Sequence, residues 1–209
     1  MTVDPFFAVP RTTRPADWFE RILPTLPLRL PPITLPQAMV YHVMGPGGGV
    51  WTVGLKDGKP QITAGKVGPI SAQIAMTAAH FREAVAGALR DRLKKILEKQ
   101  GRPIALPDAS MLPHDPARIA AVSALRGSVA FELSDRDMGE KYRYVLTLGD
   151  GPVAFETANT TIEVDLDDLV ALASVRTPPF KVLASGKLRV RGDADLPMRA
   201  LTTLLGTKS

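Results

Sequence analysis

The stretch TIEVDLDDLVAL at residues 161–172 is followed, past the TPP at 177–179, by FKVLASGKLRVRGDADLPMRAL at 180–201, and the pattern changes along these two pieces decide the fold. Ile162 and Val164 alternate with Thr161 and Glu163, the period of a half-buried strand. From Asp165 the spacing becomes helical. Leu169, Leu172 and Ala173 fall on one face, and Asp165 or Asp167 stands where a helix N-terminus favours an acid. The prolines at 178 and 179 end that helix. Beyond them, FKVLASGKLRVRGD reads as two extended pieces around Ser185 and Gly186, and DLPMRALTTLLG as a closing amphipathic helix. Gly186 and Gly192 serve turns, and Lys187 and Arg189 lie on a solvated strand face or meet a phospholipid head group, the former favoured.

Upstream, Asp115 and Pro116 look like the cap and first turn of a helix ending near Leu125. The strands SVAFEL (128–133), KYRYVLTLGDG (141–151) and VAFETANTTIEVDL (153–166) follow. The proline-containing RPIALPDASMLPHDP (102–116) separates this half from an earlier one. There, AMVYHVMG (38–45) and VWTVGLKDG (50–58), joined by PGGG, read as a hairpin, and KPQITAGKVGPISAQIAM adds strand material with a glycine-rich excursion. Thr77 caps a helix with apolar residues at 81, 84, 85, 88, 89, 93, 96 and 97. Before the hairpin come an arm (1–14), a short helix at Ala16–Leu26 with Trp18, Phe19, Ile22 and Leu23 on one side, and the extended linker PTLPLRLPPITLP.

The two halves align. The Asp-Gly turn at 57–58 matches 150–151, an offset that also pairs Trp51 with Tyr144, Val53 with Leu146 and Leu55 with Leu148. QIAMTAAHF matches TIEVDLDDL at a second constant offset, pairing Ile74 with Ile162, Met76 with Val164 and Phe81 with Leu169. The difference between the offsets falls on the glycine-rich excursion, a place where a surface loop tolerates insertion. Two related modules are expected, 15–110 and 111–206.

In order and spacing, TIEVDLDDL (161–169) and SGKLRVRGD (185–193) resemble the sterol carrier protein 2 family, which has an "adatitls-x-edl" strand-to-helix step and an "SGKLKVxGD" stretch before its last helix. The resemblance covers roughly 115–206, and residues 16–100 look like a diverged repeat in which no SGKLxVxGD stretch follows the strand-to-helix step, so that a complete pocket is not expected there. It implies an α+β fold, a curved and mostly antiparallel sheet covered on one face by helices, with an apolar cavity between them. Leu169, Leu172, Phe180, Leu183, Met198, Leu201 and Leu205 are the residues expected to face a ligand. A fatty acyl chain, a sterol-like molecule or an isoprenoid would occupy such a cavity by burying alkyl surface. The alternative is an accessory module that docks a protein partner, for example in support of a lipid or quinone biosynthetic enzyme.

Composition narrows the remaining classes. At 45% hydrophobic and 22% charged, the chain is of ordinary globular type. Cysteine is absent, which removes disulfides, thiolate nucleophiles and Cys-ligated metals and suggests a cytoplasmic setting. No run reaches the roughly 20 apolar residues of a membrane-spanning helix, and the start lacks the order of a signal peptide. The net charge of +5 is concentrated in RDRLKKILEKQGR (90–102), with six basic and two acidic residues. This basic helix is a solvated face or a docking surface for an anionic membrane or protein partner; nucleic acid is not expected, because no aromatic residue lies among the basic ones. His42, His80 and His114 lack metal-ligand spacing, Asp165, Asp167 and Asp168 are explained by capping, and the Ser185–Lys187 triplet is not a phosphate loop. No catalytic residue, metal site or cofactor is therefore assigned.

Overall fold

The computed structural model describes residues 5–26, 34–99, 101, 115–174 and 185–205, and most of the alternating stretches within them are strands. The first half gives β1 (Ala38–Met44), β2 (Gly49–Lys56), β3 (Lys59–Ala64) and β4 (Ile70–Thr77). The second gives β5 (Gly127–Asp135), β6 (Glu140–Leu148), β7 (Thr160–Asp165) and β8 (Leu188–Gly192). They form one eight-stranded sheet in the order β3-β2-β1-β4-β6-β5-β7-β8, antiparallel except where β1 meets β4 and β5 meets β7. This is the mostly antiparallel α+β arrangement expected. The expected strand at 153–166 is shorter than its alternation suggests. Val153, Phe155 and Ala158 instead pack on the back of the sheet against Ala75, Ala130 and Val145, where the Arg143 guanidinium donates to the Phe155 carbonyl at 3.0 and 3.1 Å.

The two halves share a connectivity. In the second half the β5–β6 hairpin is followed by β7, parallel to β5, and in the first the β1–β2 hairpin is followed, after the added strand β3, by β4, parallel to β1; β7 and β4 each lead straight into a helix. Their registers also correspond: Trp51, Tyr41 and Ile74 form one cross-strand row, and Tyr144, Phe131 and Ile162 another.

Local chemistry sets the helices. A short α1 (Pro15–Asp17) continues through a π turn (Trp18–Ile22) and a 3-10 turn (Leu23–Thr25). The Thr77 hydroxyl accepts from the His80 amide and starts α2 (Ala78–Val85). The helical pattern expected through Lys99 breaks at Gly87, where the Glu83 carboxylate accepts from the Ala88 amide at 2.6 Å and opens α3 (Ala88–Lys99). Asp115 caps α4 (Pro116–Ala124), Asp165 accepts from the Asp167 amide at the start of α5 (Leu166–Ser174), and Asp193 accepts from the first amides of α6 (Asp195–Leu205).

These helices lie on the sheet face that carries Tyr41, Trp51, Ile74, Tyr144, Phe131 and Ile162. The N-terminal segment and α2 cover β1 and β2, α3 and α5 cover Tyr142 and Leu133, and α4 and α6 cover Val129 and Leu148. Val9 and Thr13, ahead of α1, are buried with them.

Two polar devices weld the halves. On the back face, Gln73 is 1% exposed; its amide donates to the carbonyls of Gly149 and Gly151, and its oxygen accepts from His42 Nε2 at 3.0 Å. On the helical face, Arg92 of α3 meets Asp137 at 2.5 Å, Asp167 at 2.7 Å and the buried Asp135 at 3.5 Å, clasping the β5–β6 turn and α5. Arg90 is buried too, donating to the Val9 and Val85 carbonyls. The basic helix is thus less of a free cationic face than its sequence suggests: two of its arginines are turned inward, Lys95 and Lys99 are exposed, and Arg102 lies outside the described residues.

Replacing Arg92 by Ala strands the buried Asp135 carboxylate and is expected to cost about 3 kcal/mol in urea denaturation. Burial holds the proton affinity of His42 below its ordinary value, against the Gln73 hydrogen bond that raises it, and Lys66 lowers it further. The unfolded chain therefore binds this proton more readily, so the contribution of His42 is present above about pH 6.5 and lost as the pH falls below it. The urea midpoint should drop from pH 7 to pH 5, and His42→Gln should flatten that dependence.

Candidate functional site

Alternation places every second side chain of a strand on the helical face, and pairing lines those side chains up in rows across the sheet. Three such rows cross β6, β5 and β7 in the second half. Tyr142–Leu133–Val164 runs on to Leu188 of β8 and lies toward α3 and α5, with Tyr142 and Val164 buried. Leu146–Val129–Thr160 lies toward α4 and α6, with Val129 and Thr160 buried. Between them, Tyr144–Phe131–Ile162 continues to Val190, and all four side chains are only half-buried. The middle row is the candidate floor of an apolar trough, with Tyr144 packed against the α3–α5 cluster and Phe131 and Ile162 against the α4–α6 cluster, none of them fully buried. With strands about 4.8 Å apart, four strands give it a length of about 14 Å.

The helices on either side supply candidate walls. In α6, Leu196, Ala200 and Leu204 point into the sheet against Val122 and Leu125 of the α4 region. Gly127 makes that docking possible, since a Cβ there would sit 2.8 Å from Leu196. Met198 and Leu201 lie on another side of α6, half-buried and outside that cluster. In α5, Leu166 and Val170 pack with Leu89 and Ile96 of α3. Leu169 is half-buried in the sector between this core face and Asp168, whose carboxylate meets Lys187 at 2.9 Å just before β8. Of the residues singled out from the sequence, Leu169, Met198 and Leu201 thus remain incompletely covered on the two helices. Leu172 and Leu205 belong to the backbones of α5 and α6. Phe180 and Leu183 lie outside the described residues.

Sequence reading missed the floor, because alternating strand residues read simply as core. The signal was nonetheless present in the pairing of Trp51 with Tyr144 and Ile74 with Ile162.

Among the floor residues the polar group is the Tyr144 hydroxyl, which donates to the His80 carbonyl at 3.3 Å. Burial, with smaller contributions from Tyr142 and Glu83, holds it well above the ordinary range for a phenol, so it stays protonated. His80 accepts the Arg143 amide through Nδ1. Apart from the Tyr144 hydroxyl, the side chains of the row are hydrocarbon.

The SGKLRVRGD stretch anchors the α6 side of the trough. Gly192 has φ of +81°, and a Cβ on it would come within 2.2 Å of the Asn159 carbonyl oxygen. This close approach lets the Asp193 amide donate to that oxygen and the Thr160 hydroxyl donate to the Asp193 carbonyl. Asp193 then caps α6. Lys187 is tied to Asp168 rather than free on the strand face.

A separate open concavity of about 570 Å³ lies beside α3, lined by residues that include Arg11, Asp91, Lys94, Lys95, Glu98 and Met138. Its lining mixes charges of both signs. Burial works against ionisation of Asp91, but hydrogen bonds from Arg90 and Arg11 prevail and keep its carboxyl below the usual range. Such a surface does not suit an apolar ligand. Among the described residues no helix is long and apolar enough to cross a membrane.

No curated protein matches the sequence. Similar solved structures include sterol carrier protein 2 like 2 from Aedes aegypti, 20% identical, covering 40% of this chain and 89% of that one at a TM-score of 0.30. Sterol carrier protein 2 from Yarrowia lipolytica, in its apo form, is 14% identical, covering 56% and 90% at 0.31. A ubiquinone synthesis protein, UbiJ-SCP2, is 14% identical, covering 57% and 96% at 0.33. The sequence model of the SCP-2 sterol transfer family matches residues 109–205, which span α4, β5 to β8, α5 and α6. Residues 109–205 are accordingly a match to the SCP-2 sterol transfer family.

Proposed function

We propose that this protein is a non-catalytic lipid carrier that holds an apolar ligand, a fatty acyl chain, a sterol-like molecule or an isoprenoid, along the row Tyr144–Phe131–Ile162–Val190. The observation that carries the reading is the half-burial of this row between two rows that helices cover. Large apolar side chains on the floor of a helix-lined trough lose water contact when an alkyl chain fills it, at roughly 25 cal/mol per Å² of surface removed. Leu169, Met198 and Leu201 are the proposed walls of the site, and Leu172, Phe180, Leu183 and Leu205, whose side chains lie outside the described residues, are proposed as further lining from the sequence alone. The family of residues 109–205 supports a lipid as the partner. Absence of cysteine supports a cytoplasmic setting, and residues 15–110 are read as a diverged copy of the unit at 111–206.

Docking of a protein partner or an anionic membrane through α3 is the weaker reading, because Arg90 and Arg92 are used inside the molecule. The test is steric. Ile162→Trp and Met198→Trp each place an indole in the trough and should lower the affinity for a fluorescent fatty acid at least about tenfold, or about 1.4 kcal/mol. Circular dichroism should show the fold retained. Unchanged uptake by both folded variants would remove the trough as the site, and Lys94, Lys95 and Lys99 changed to Glu should leave uptake from solution unaltered.

A further inference from the structure

The row of the first half that corresponds to the open trough is occupied. Trp51, Tyr41 and Ile74 take in β2, β1 and β4 the register positions that Tyr144, Phe131 and Ile162 take in β6, β5 and β7. Phe81, the fourth residue of α2, stands where Leu169, the fourth residue of α5, stands in the other half. Over this row lies Phe19, 1% exposed. Its ring stacks on Trp51 at a centroid distance of 4.8 Å and an interplanar angle of 14°, and it meets Tyr41 at 5.2 Å and Phe81 at 5.6 Å. The side chains that correspond to floor and wall in the second half therefore enclose an aromatic ring of the chain itself.

The segment bearing Phe19 packs on the sheet through Trp18, Phe19 and Ile22 and is also held by polar contacts along its length. The Trp51 indole donates to Glu20 at 3.0 Å, Arg90 donates to the Val9 carbonyl at 2.6 Å, and Arg11 pairs with Asp91 at 2.6 Å. Its backbone passes from α through π to 3-10 hydrogen bonding within residues 15–25, and a π turn of this kind frequently marks a functional position. The π turn begins at Trp18 and includes Phe19 and Ile22, all of which pack against the same sheet face.

We infer that the first half contains a second apolar binding site, of the same class as the trough, and that residues 5–26 act as its built-in ligand. The site takes an aromatic or alkyl group, and Phe19 fills it in the folded chain. One external lipid then binds per chain, and a second binds only when Phe19 is withdrawn. The inference goes beyond the carrier reading, and its test separates the two.

Trp18→Phe leaves Trp51 as the single tryptophan of the chain, a reporter inside the site. The full-length Trp18→Phe protein and the same protein with Phe19→Ala are titrated with a fatty acid carrying two bromines, which quench tryptophan on contact, and the number of bound acids is read by native mass spectrometry. The expected result is one additional acid bound in the Phe19→Ala protein, with loss of most Trp51 emission, while Phe19 intact keeps Trp51 bright at saturation. A synthetic peptide of residues 5–26 should restore the emission by displacing the acid. If Phe19→Ala does not fold, Phe19→Val leaves a smaller opening and is read in the same way. Equal stoichiometry and equal Trp51 emission in the folded pair would overturn the inference. Failure of the trough instead shows as no acid bound before Phe19 is changed, with one bound after.

Discussion

The pairing of β4 with β6 is the constraint on which the rest of the molecule depends. Residues 72–75 pair antiparallel with 145–148, and through this short seam two four-strand units become one sheet. Without it, the first half would end in an unpaired β4 edge and the second in an unpaired β6 edge, each a template for pairing with another chain. Gln73 sits in the middle of the seam with no contact with water to lose, so its amide must find partners within the protein, and it reaches across to Gly149 and Gly151. The seam also fixes where α2 and α3 fall. Because β4 turns directly into α2, the first-half helices are carried over the second half's strands, where Arg92 finds Asp135, Asp137 and Asp167 and α3 packs against α5.

This arrangement leaves one part of the helical face thinly covered. The α3–α5 pair holds down the row through Tyr142 and Val164, and the α4–α6 pair holds down the row through Val129 and Thr160. Both pairs touch the row between, Tyr144 from one side and Phe131 and Ile162 from the other, without burying it fully. Side chains left half-buried there keep solvent contact that an apolar ligand would remove. In the first half the equivalent row receives Phe19, which shows that a flat apolar group fits between such a floor and the helix that follows the parallel strand.

Much of this was legible in the sequence, for identifiable reasons. Period-two alternation in AMVYHVM, KYRYVLTL and TIEV requires half-buried strands, and Thr77, Asp115 and Asp165 mark helix starts because their side-chain oxygens satisfy the first free amides. The offsets between the halves anticipated the registers, pairing Trp51 with Tyr144 and Ile74 with Ile162 as the rows do. Other features depend on partners distant in sequence. Alternation at 153–158 is the same whether the segment pairs as a strand or folds under the sheet, and Arg143 decides for the latter by binding the Phe155 carbonyl. The run of basic residues in α3 gives no sign that Arg90 and Arg92 face inward, since their acceptors come from residues 9, 135, 137 and 167. Leu169, Met198 and Leu201 stand out in the sequence as apolar positions beside a helix's core stripe, whereas Phe131 and Ile162 follow the same alternation as any core strand residue.

The most direct test of the account is an isotope-filtered NMR experiment on the full chain, methyl-labelled at isoleucine and valine and mixed with an unlabelled fatty acid. The account predicts intermolecular cross-peaks from the alkyl chain to the methyls of Ile162 and Val190, and none to Ile74 or Val53 beside the row that Phe19 covers. Bound acid with cross-peaks only to methyls away from the Tyr144–Phe131–Ile162–Val190 row, or no binding by the folded protein, would contradict it.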